Sequence, residues 1–345
     1  MTGYDLQYDR ACGALTGMAI GDAMGMPSQT LSRAEIQQHY GTISTFVAPF
    51  PDHPVSHGLT AAQVTDDTEQ AMLLATRLIR DGGTLDEAQW ARDLLGWEAD
   101  VRARGLRDLL GPSSKAALDA ILAGASTSET GRNGTTNGAA MRIAPMGISA
   151  RTDPLPDFLD RVELACRMTH NTGEAIAAAA AVAAVVSCGI EGQSFDTAVI
   201  SALQAAAEGQ KRGFPVGERD MAQKISAALA AADTGTAVAE FANKIGTSVA
   251  SHESVAAAFG VVRLAGCDPW KAAVIAANIG DDTDTIGAIA GAMAGACVGR
   301  SGIGPKATGP VLAANDLPVD RIARELLQLR ASHDHRVADG AECGP

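Results

Sequence analysis

Residues 280–296 read GDDTDTIGAIAGAMAGA, and this stretch indicates the fold. Three aspartates and two threonines stand directly before a run of small apolar residues. The run predicts a tightly packed helix, because small side chains let neighbouring helices approach closely. Negative charge is thus concentrated directly in front of that helix. Residues 65–68 (TDDT) place a second acidic stretch before another apolar segment.

Helical periodicity extends from this stretch over most of the chain. Leu118, Ile121 and Leu122, for example, have the i, i+3, i+4 spacing of one buried helix face. Period-two alternation is scarce, and residues 43–47 are the best strand candidate. A helix-rich, strand-poor sequence predicts an all-α protein. The predicted helices are residues 11–23, 67–80, 85–95, 114–122, 157–168, 173–188, 195–206, 218–231, 255–264, 270–277, 283–298 and 319–329.

The sequence shows no sign of a boundary between domains. No charge-rich or serine-rich linker divides the chain, and no repeat of fixed period is found. Irregular stretches rich in Gly, Pro and Asn, such as residues 49–58 and 131–137, predict loops. We therefore expect one all-α domain over residues 1–331, followed by a flexible tail over residues 332–345.

Composition narrows the range of functions. The 345 residues carry a net charge of −13 and are 46% hydrophobic but only 4% aromatic. An acidic chain is a poor partner for nucleic acid or for an anionic membrane surface. A surplus of carboxylates instead suits solubility and the binding of divalent cations.

The sequence favours a cytoplasmic location. None of the six cysteines forms a C-x-x-C pair, which favours buried free thiols over disulfides. The first residues lack the basic and apolar regions of a signal peptide. The apolar run at residues 175–188 is too short and too rich in alanine to cross a bilayer comfortably.

The two acidic stretches can each be explained as a helix start. Thr65 would cap free amides, and Asp66, Asp67 and an aspartate at 281 or 282 would favour the positive helix end. Capping does not need so many acids, however. Asp282, Asp284 and Thr285 have the i, i+2, i+3 spacing that aims oxygens at one point beyond the first turn.

Oxygens that converge in this way are unfavourable unless a cation lies between them. Taken together, the two stretches predict one site with about four carboxylates and two or three hydroxyls. The absence of soft ligands favours Mg²⁺, Mn²⁺ or Ca²⁺ over zinc. The donors suffice for two ions roughly 3.5–4 Å apart.

A central loop at residues 131–142 is the third candidate element. Asn137-Gly138 permits positive φ, and Gly138 with Ala139 and Ala140 lets backbone amides approach an anion closely. The alternative is a helix cap. Arg142 would then be a surface charge or a structural ion pair, whereas in a binding loop it would buttress the backbone.

Four segments in this order resemble the ADP-ribosylglycohydrolase family, which includes the dinitrogen-reductase-activating glycohydrolases. They resemble its glycine-rich first helix and turn, its first metal motif, its central ribose-phosphate loop and its second metal motif. The segments are residues 13–27 (GALTGMAIGDAMGMP), 65–68 (TDDT), 137–145 (NGAAMRIAP) and 282–287 (DTDTIG).

The resemblance implies a single large orthogonal helical domain with a two-metal cleft, usually holding Mg²⁺ or Mn²⁺. It implies hydrolysis at C1 of a ribose, with release of ADP-ribose from a modified side chain, as in an ADP-ribosylated protein, or from a small acceptor. Asp66, Asp67 and Asp282 would orient and deprotonate the attacking water. The implied metal ligands are Thr65, Asp66, Asp67, Asp282, Asp284 and Thr285. The implied substrate-binding residues are Gln29, Asn137, Gly138, Ala139, Ala140, Met141 and His170.

Some positions leave alternatives open. His170 would line the ribose side of the cleft, but it could equally be a helix-cap partner. Gln29 stands where the family usually has glutamate, and an amide cannot act as a base. This departure favours one alternative, a non-catalytic binder of ADP-ribose. The acidic chain and the lack of an obvious protein-docking segment favour another, a hydrolase of a small nucleoside, nucleotide or ribosyl metabolite.

Overall fold

The computed structural model describes residues 3–106, 111–217 and 219–341, and within these ranges the chain is helical with no strand. The predicted all-α class and single helical domain are confirmed. The helices are α1 (Gly3–Gly25), α2 (Arg33–Tyr40), α3 (Asp66–Arg80), α4 (Glu87–Ala103), α5 (Pro112–Leu122), α6 (Thr127–Thr130), α7 (Gly138–Met141), α8 (Ala144–Ser149), α9 (Leu155–His170), α10 (Gly173–Ile190), α11 (Phe195–Gly209), α12 (Met221–Asp233), α13 (Val238–Ile245), α14 (Ser251–Leu264), α15 (Pro269–Ala277), α16 (Thr283–Val298), α17 (Arg300–Ile303), α18 (Pro305–Asn315) and α19 (Val319–Ala341).

Helices α1 and α16 form the most extensive helix–helix contact. They run antiparallel, because Gly13, Gly17 and Gly21 of α1 face Gly295, Gly291 and Gly287 of α16 in that order. A Cβ atom added at Gly17 or Gly21 would overlap the facing backbone carbonyl. The two backbones are therefore in direct contact, and the start of α16 lies beside the end of α1.

Helix α10 passes through the centre of the molecule. All its residues are buried, and it packs on α11, α16, α8 and α9. By length and composition it could also cross a membrane, but a core helix that is wholly enclosed passes the same test. Its alanine-rich sequence gives it several packing faces rather than one, because small side chains admit close neighbours all round.

Two predictions about local structure differ from what is observed. Residues 43–47 form no strand, because the side chain of Asn278 takes the place of a neighbouring strand: its Oδ1 accepts from the Ile43 amide at 2.9 Å and its Nδ2 donates to the Ile43 carbonyl at 2.8 Å. Helix α19 ends at Ala341 rather than at the predicted residue 329. The flexibility of the predicted tail at 332–345 stays a prediction. The last four residues of that tail lie outside the described residues.

Candidate active site

The two acidic segments, more than two hundred residues apart, meet at the starts of α3 and α16. Thr285 Oγ1 lies 3.4 Å from Asp67 Oδ2, and Thr65 Oγ1 lies 3.1 Å from the same oxygen. Thr65 caps α3, whereas Asp282 precedes α16 without capping it through its side chain. The capping explanation therefore accounts for Thr65 but leaves the carboxylate of Asp282 free for other contacts.

Asp22 lies beneath the start of α3, and its carboxylate is fully buried. It accepts from the amide and hydroxyl of Thr65 at 3.0 and 2.9 Å, and from those of Thr68 at 3.1 and 2.6 Å. Because α1 carries Asp22 and also packs on α16, it fixes both acidic segments relative to each other.

Arg142 buttresses Asp66 from inside the molecule. The guanidinium is 1% exposed and donates to Gln70 Oε1 at 2.8 Å, while Gln70 Nε2 donates to Asp66 Oδ2 at 3.1 Å. Burial lowers the pKa of Arg142 to about 10, so it remains charged at neutral pH. The surface position is wrong, and the hydrogen bonds of Arg142 go to the side chains of Gln70 and Thr169 rather than to the loop backbone that it was expected to buttress.

Asn137 connects the central loop to α14 and α16. Its Nδ2 hydrogen-bonds to Asp282 Oδ2 and donates to Ser254 Oγ at 2.8 Å, while its amide donates to the Val249 carbonyl at 3.0 Å. Asn137 thus holds one carboxylate of the second acidic segment. The side chains of Ala139 and Ala140, which follow it, belong to the hydrophobic core.

His170 is a correction to the expected cleft wall, because it is fully buried behind that wall. Its Nδ1 lies 2.7 Å from Thr169 Oγ1, and its Nε2 lies 3.0 Å from Thr136 Oγ1. Thr169 Oγ1 also accepts from Arg142 at 2.5 Å. Burial, with the nearby Arg142 charge, holds the pKa of His170 well below its usual range, so the ring is neutral.

A cleft opens over these residues. Gln29, Thr30 and Val55 form one wall, and the segment from Thr30 to Leu31 exchanges backbone hydrogen bonds with Asp281 at 2.6 and 2.8 Å. That pairing places Gln29 beside the start of α16. The described lining residues are Gln29, Thr30, Val55, Asp66, Gly111, Pro112, Ser114, Thr136, Asn137, Gly138, Met141, Val249, Asp282, Asp284 and Thr285.

The carboxylates around the cleft have an unusual electrostatic environment. Burial, together with neighbouring carboxylates, raises the pKa of Asp66, Asp67 and Asp284 well above its ordinary range. Burial also raises the pKa of Asp22 and of Asp282 to about 6, although hydrogen bonds from Thr68 and from Asn137 oppose the shift. Buried carboxylates that repel one another are stabilised by a proton or by a cation.

The donors fit a cation that prefers oxygen ligands. Asp67 Oδ1 is buried and has no hydrogen-bond partner in the described part of the chain, while Oδ2 lies between two hydroxyls. Across residues 3–106, 111–217 and 219–341, however, no three Asp, Glu, His or Cys side chains are grouped tightly enough to hold an ion by themselves. Coordination would therefore also draw on threonine hydroxyls such as Thr65 and Thr285.

Comparison with known proteins identifies the family. The family model described as ADP-ribosylglycohydrolase matches residues 4–336. The chain belongs to the ADP-ribosylglycohydrolase family. Membership makes it a hydrolase of glycosidic ADP-ribose linkages, and the resemblance noted in the sequence is confirmed.

Individual relatives match most of the length of this chain. The uncharacterised protein YegU of Escherichia coli (strain K12) is 35% identical over 333 residues, which are 95% of this chain and 99% of YegU. Tri1 of Pseudomonas putida (strain GB-1), an ADP-ribosylarginine hydrolase, is 27% identical over 86% of this chain and 73% of its own length. A solved structure described as an ADP-ribosylglycohydrolase-related protein complex has the same fold, with a TM-score of 0.69 at 24% identity over 94% of this chain and 99% of that one.

Most residues that the sequence assigns to the site lie together. Gln29, Asn137, Gly138 and Met141 line the cleft with Asp66, Asp282, Asp284 and Thr285, while Thr65 and Asp67 lie directly beneath it. Ala139, Ala140 and His170 do not line it. Their roles, and those of the predicted ligands, stay predictions.

Sequence reasoning missed several residues that build this site. Asp22, Thr68 and Gln70 hold the start of α3 from below, and Ser114 and Thr136 line the cleft. The signal for Asp22 is present in the sequence: it is the single charge in the apolar, glycine-rich part of α1, residues 11–25. Buried charges of this kind are kept only where they have partners.

Proposed function

We propose that this chain hydrolyses the bond at C1 of a ribose and releases ADP-ribose from a modified side chain or small acceptor, with Mg²⁺ or Mn²⁺ bound in the cleft. The observation that carries the metal requirement is Asp67. Its carboxylate is 1% exposed, has one oxygen without a hydrogen-bond partner among the described residues, and is surrounded by other buried acids. Such a group calls for a positive charge.

Thr65, Asp66, Asp67, Asp282, Asp284 and Thr285 are the proposed ligands of two ions. When bound, the ions would supply the positive charge that binds ribose hydroxyls and makes a water molecule more acidic. Thr65 suits this role because its hydroxyl donates its proton to Asp22 at 2.9 Å. A lone pair of Thr65 Oγ1 is therefore available to a metal ion.

The protein groups have separable tasks in this proposal. Asp66 and Asp282 line the cleft and can accept a proton from the attacking water. Asn137 orients Asp282, and the path from Arg142 through Gln70 orients Asp66. Asp67 lies beneath the cleft and acts through the ions.

A small ribosyl metabolite is the second candidate substrate. One observation favours it: no Lys, Arg or His occurs among the described residues that line the cleft, so no described cationic side chain is present to pair with a pyrophosphate. An ADP-ribosyl substrate would instead rely on backbone amides or on the ions.

The test pairs activity with metal binding. We expect the wild type to release ADP-ribose from ADP-ribosylated arginine or serine peptides in the presence of Mn²⁺ or Mg²⁺. Asp67→Asn should reduce the rate by roughly 10²-fold or more, because it removes a ligand charge. Isothermal titration calorimetry should show the same variant losing Mn²⁺ affinity.

Asp281→Asn is the matched control. Asp281 is exposed, and its carboxylate accepts from Thr247 Oγ1 at 2.9 Å rather than facing the cleft. The Asp281→Asn variant should bind Mn²⁺ as the wild type does.

Unchanged Mn²⁺ affinity in Asp67→Asn would refute the metal assignment. If ADP-ribose binds but is never released from any substrate, the protein is a non-catalytic binder. Release of base or free ribose from small ribosides alone would favour the second candidate.

A further inference from the structure

The side chain of Gln29 is held in one orientation by its neighbour Ser56. Gln29 Nε2 donates to Ser56 Oγ at 2.9 Å, and Ser56 Oγ donates to the Met26 carbonyl at 2.7 Å. A hydroxyl has one proton, and that of Ser56 goes to Met26. Ser56 can therefore only accept from residue 29, so it pairs with an amide and repels a carboxylate.

His53 fixes Ser56 in this position. The His53 Nδ1 accepts from the backbone amides of Ser56 at 2.8 Å and of Val55 at 3.2 Å. A ring nitrogen that accepts a hydrogen bond carries no proton, so the His53 ring is neutral. A change in the charge of His53 therefore does not enter the orientation of this loop. Ser56 is itself fully buried, and water cannot compete for its hydroxyl.

With Nε2 directed at Ser56, Gln29 Oε1 is the group available to the cleft. Gln29 lines the cleft and is 8% exposed, and no donor in the described part of the chain contacts Oε1. It lies in the same cleft as Asp66 and Asp282. The wall at this point thus offers an uncharged hydrogen-bond acceptor.

An uncharged acceptor distinguishes between leaving groups. A carboxylate forms charge-assisted hydrogen bonds with a guanidinium that are roughly twice as strong as neutral ones. An amide oxygen gives no such advantage, so an uncharged hydroxyl or amide donor competes on equal terms and costs less to remove from water. The aspartates do not restore the advantage, because in the proposed function their charge is offset by the bound cations.

We propose that Gln29, oriented by Ser56, is a specificity-determining residue that selects substrates whose leaving group is uncharged, such as a hydroxyl-linked ADP-ribose, over a cationic guanidinium. This proposal rests on the proposed function and names the substrate class within it. It also gives the glutamine a role that does not require it to act as a base.

The experiment compares two substrates in the presence of Mn²⁺: a peptide with ADP-ribose linked to a serine hydroxyl and one with ADP-ribose linked to an arginine guanidinium. The measured quantity is the ratio of the two kcat/KM values. We expect the wild type to prefer the serine-linked substrate, and Gln29→Glu to shift the ratio about tenfold toward arginine. Ser56→Ala, which frees the amide to rotate, should lower the kcat/KM of the serine-linked substrate by about threefold, because Oε1 then faces the cleft only part of the time.

Gln63→Glu is the matched control, because it makes the same chemical change in a neighbouring loop outside the cleft. It should leave the ratio unchanged. A wild-type preference for arginine would overturn the proposal, and so would an unchanged ratio in folded Gln29→Glu or an unchanged kcat/KM for the serine-linked substrate in folded Ser56→Ala; the proposed function would survive these results. A wild type that hydrolyses neither peptide would overturn this inference, and one that also releases no ADP-ribose from small acceptors would overturn the proposed function.

Discussion

The two ends of the contact between α1 and α16 serve opposite purposes. Along the body of α16, glycines face glycines of α1, and the backbones touch without intervening side chains. At its start, the partly buried Asp282 and the buried Asp284 lie close to Asp66 and Asp67 of α3. The first region stabilises the fold through close packing, whereas the second concentrates like charges that destabilise it.

The difference shows how the protein tolerates its acidic cleft. Buried carboxylates that repel one another would separate if the helices bearing them could move. Here α16 cannot shift along α1, because glycines and carbonyls interlock at successive turns. The packed end of the contact, where glycines of α1 and α16 face each other, therefore fixes the charged end, where Asp282 and Asp284 lie. Each end can be altered separately to test this relation.

The largest expected effect comes from the packed end. Gly17→Val places side-chain atoms where the Gly291 carbonyl lies, so the helices must separate. We expect the free energy of unfolding, measured by urea denaturation, to fall by roughly 3 kcal/mol.

The matched control is Gly96→Ala in α4, where an added Cβ meets nothing within 4 Å. It should raise the free energy of unfolding by about 0.5 kcal/mol, because alanine restricts the unfolded chain and favours the helix. Equal stability of Gly17→Val and the wild type would show that the glycine contact does not hold α16 in place.

An intermediate effect is expected at the junction between the two regions. Asp22→Asn replaces one acceptor oxygen by a donor, which leaves some of the Thr65 and Thr68 donors unsatisfied in a buried position. We expect a loss of about 2 kcal/mol in the free energy of unfolding.

Asp268→Asn is the control for that substitution. Asp268 caps α15 at the surface by accepting from the Trp270 and Lys271 amides, and asparagine caps a helix equally well. Its unfolding curve should overlay that of the wild type. An Asp22→Asn variant with the wild-type free energy of unfolding would show that Asp22 does not secure the start of α3.

The smallest expected effect lies at the charged end. In EDTA, Asp282→Asn removes one partly buried carboxylate whose pKa the fold raises to about 6 from 3.8. A raised folded-state pKa contributes stability that is fully present below pH 3.8 and is lost as the pH rises through about 6. The metal-free wild type should therefore lose stability between about pH 4 and pH 6.

The variant should lose less over this interval. We expect Asp282→Asn to be more stable than the wild type by about 1 kcal/mol at pH 7 and to show no advantage at pH 4. Urea titrations at both pH values measure the difference. A variant that is less stable at pH 7 would mean that the hydrogen bond from Asn137 outweighs the repulsion.

Predictions from the sequence succeeded where a residue acts through its own neighbours along the chain. Thr65 caps α3, and the helix over residues 283–298 has the predicted bounds. They failed where a distant side chain intervenes. Asn278 replaces a strand partner for Ile43, and Thr136 and Gly138 cover His170 from the cleft.

The sequence by itself determined the all-α class, the two acidic helix starts and their identity as one family's motifs, because periodicity, capping and residue chemistry are local properties. Only the tertiary structure decided which oxygens share a cleft, that Asp22 secures Thr65 and Thr68, and that Ser56 orients Gln29. Those relations join residues that the chain separates by 27 or more positions. They depend on how closely the helices pack, and at the α1–α16 contact that distance is set by the absence of side chains on both sides.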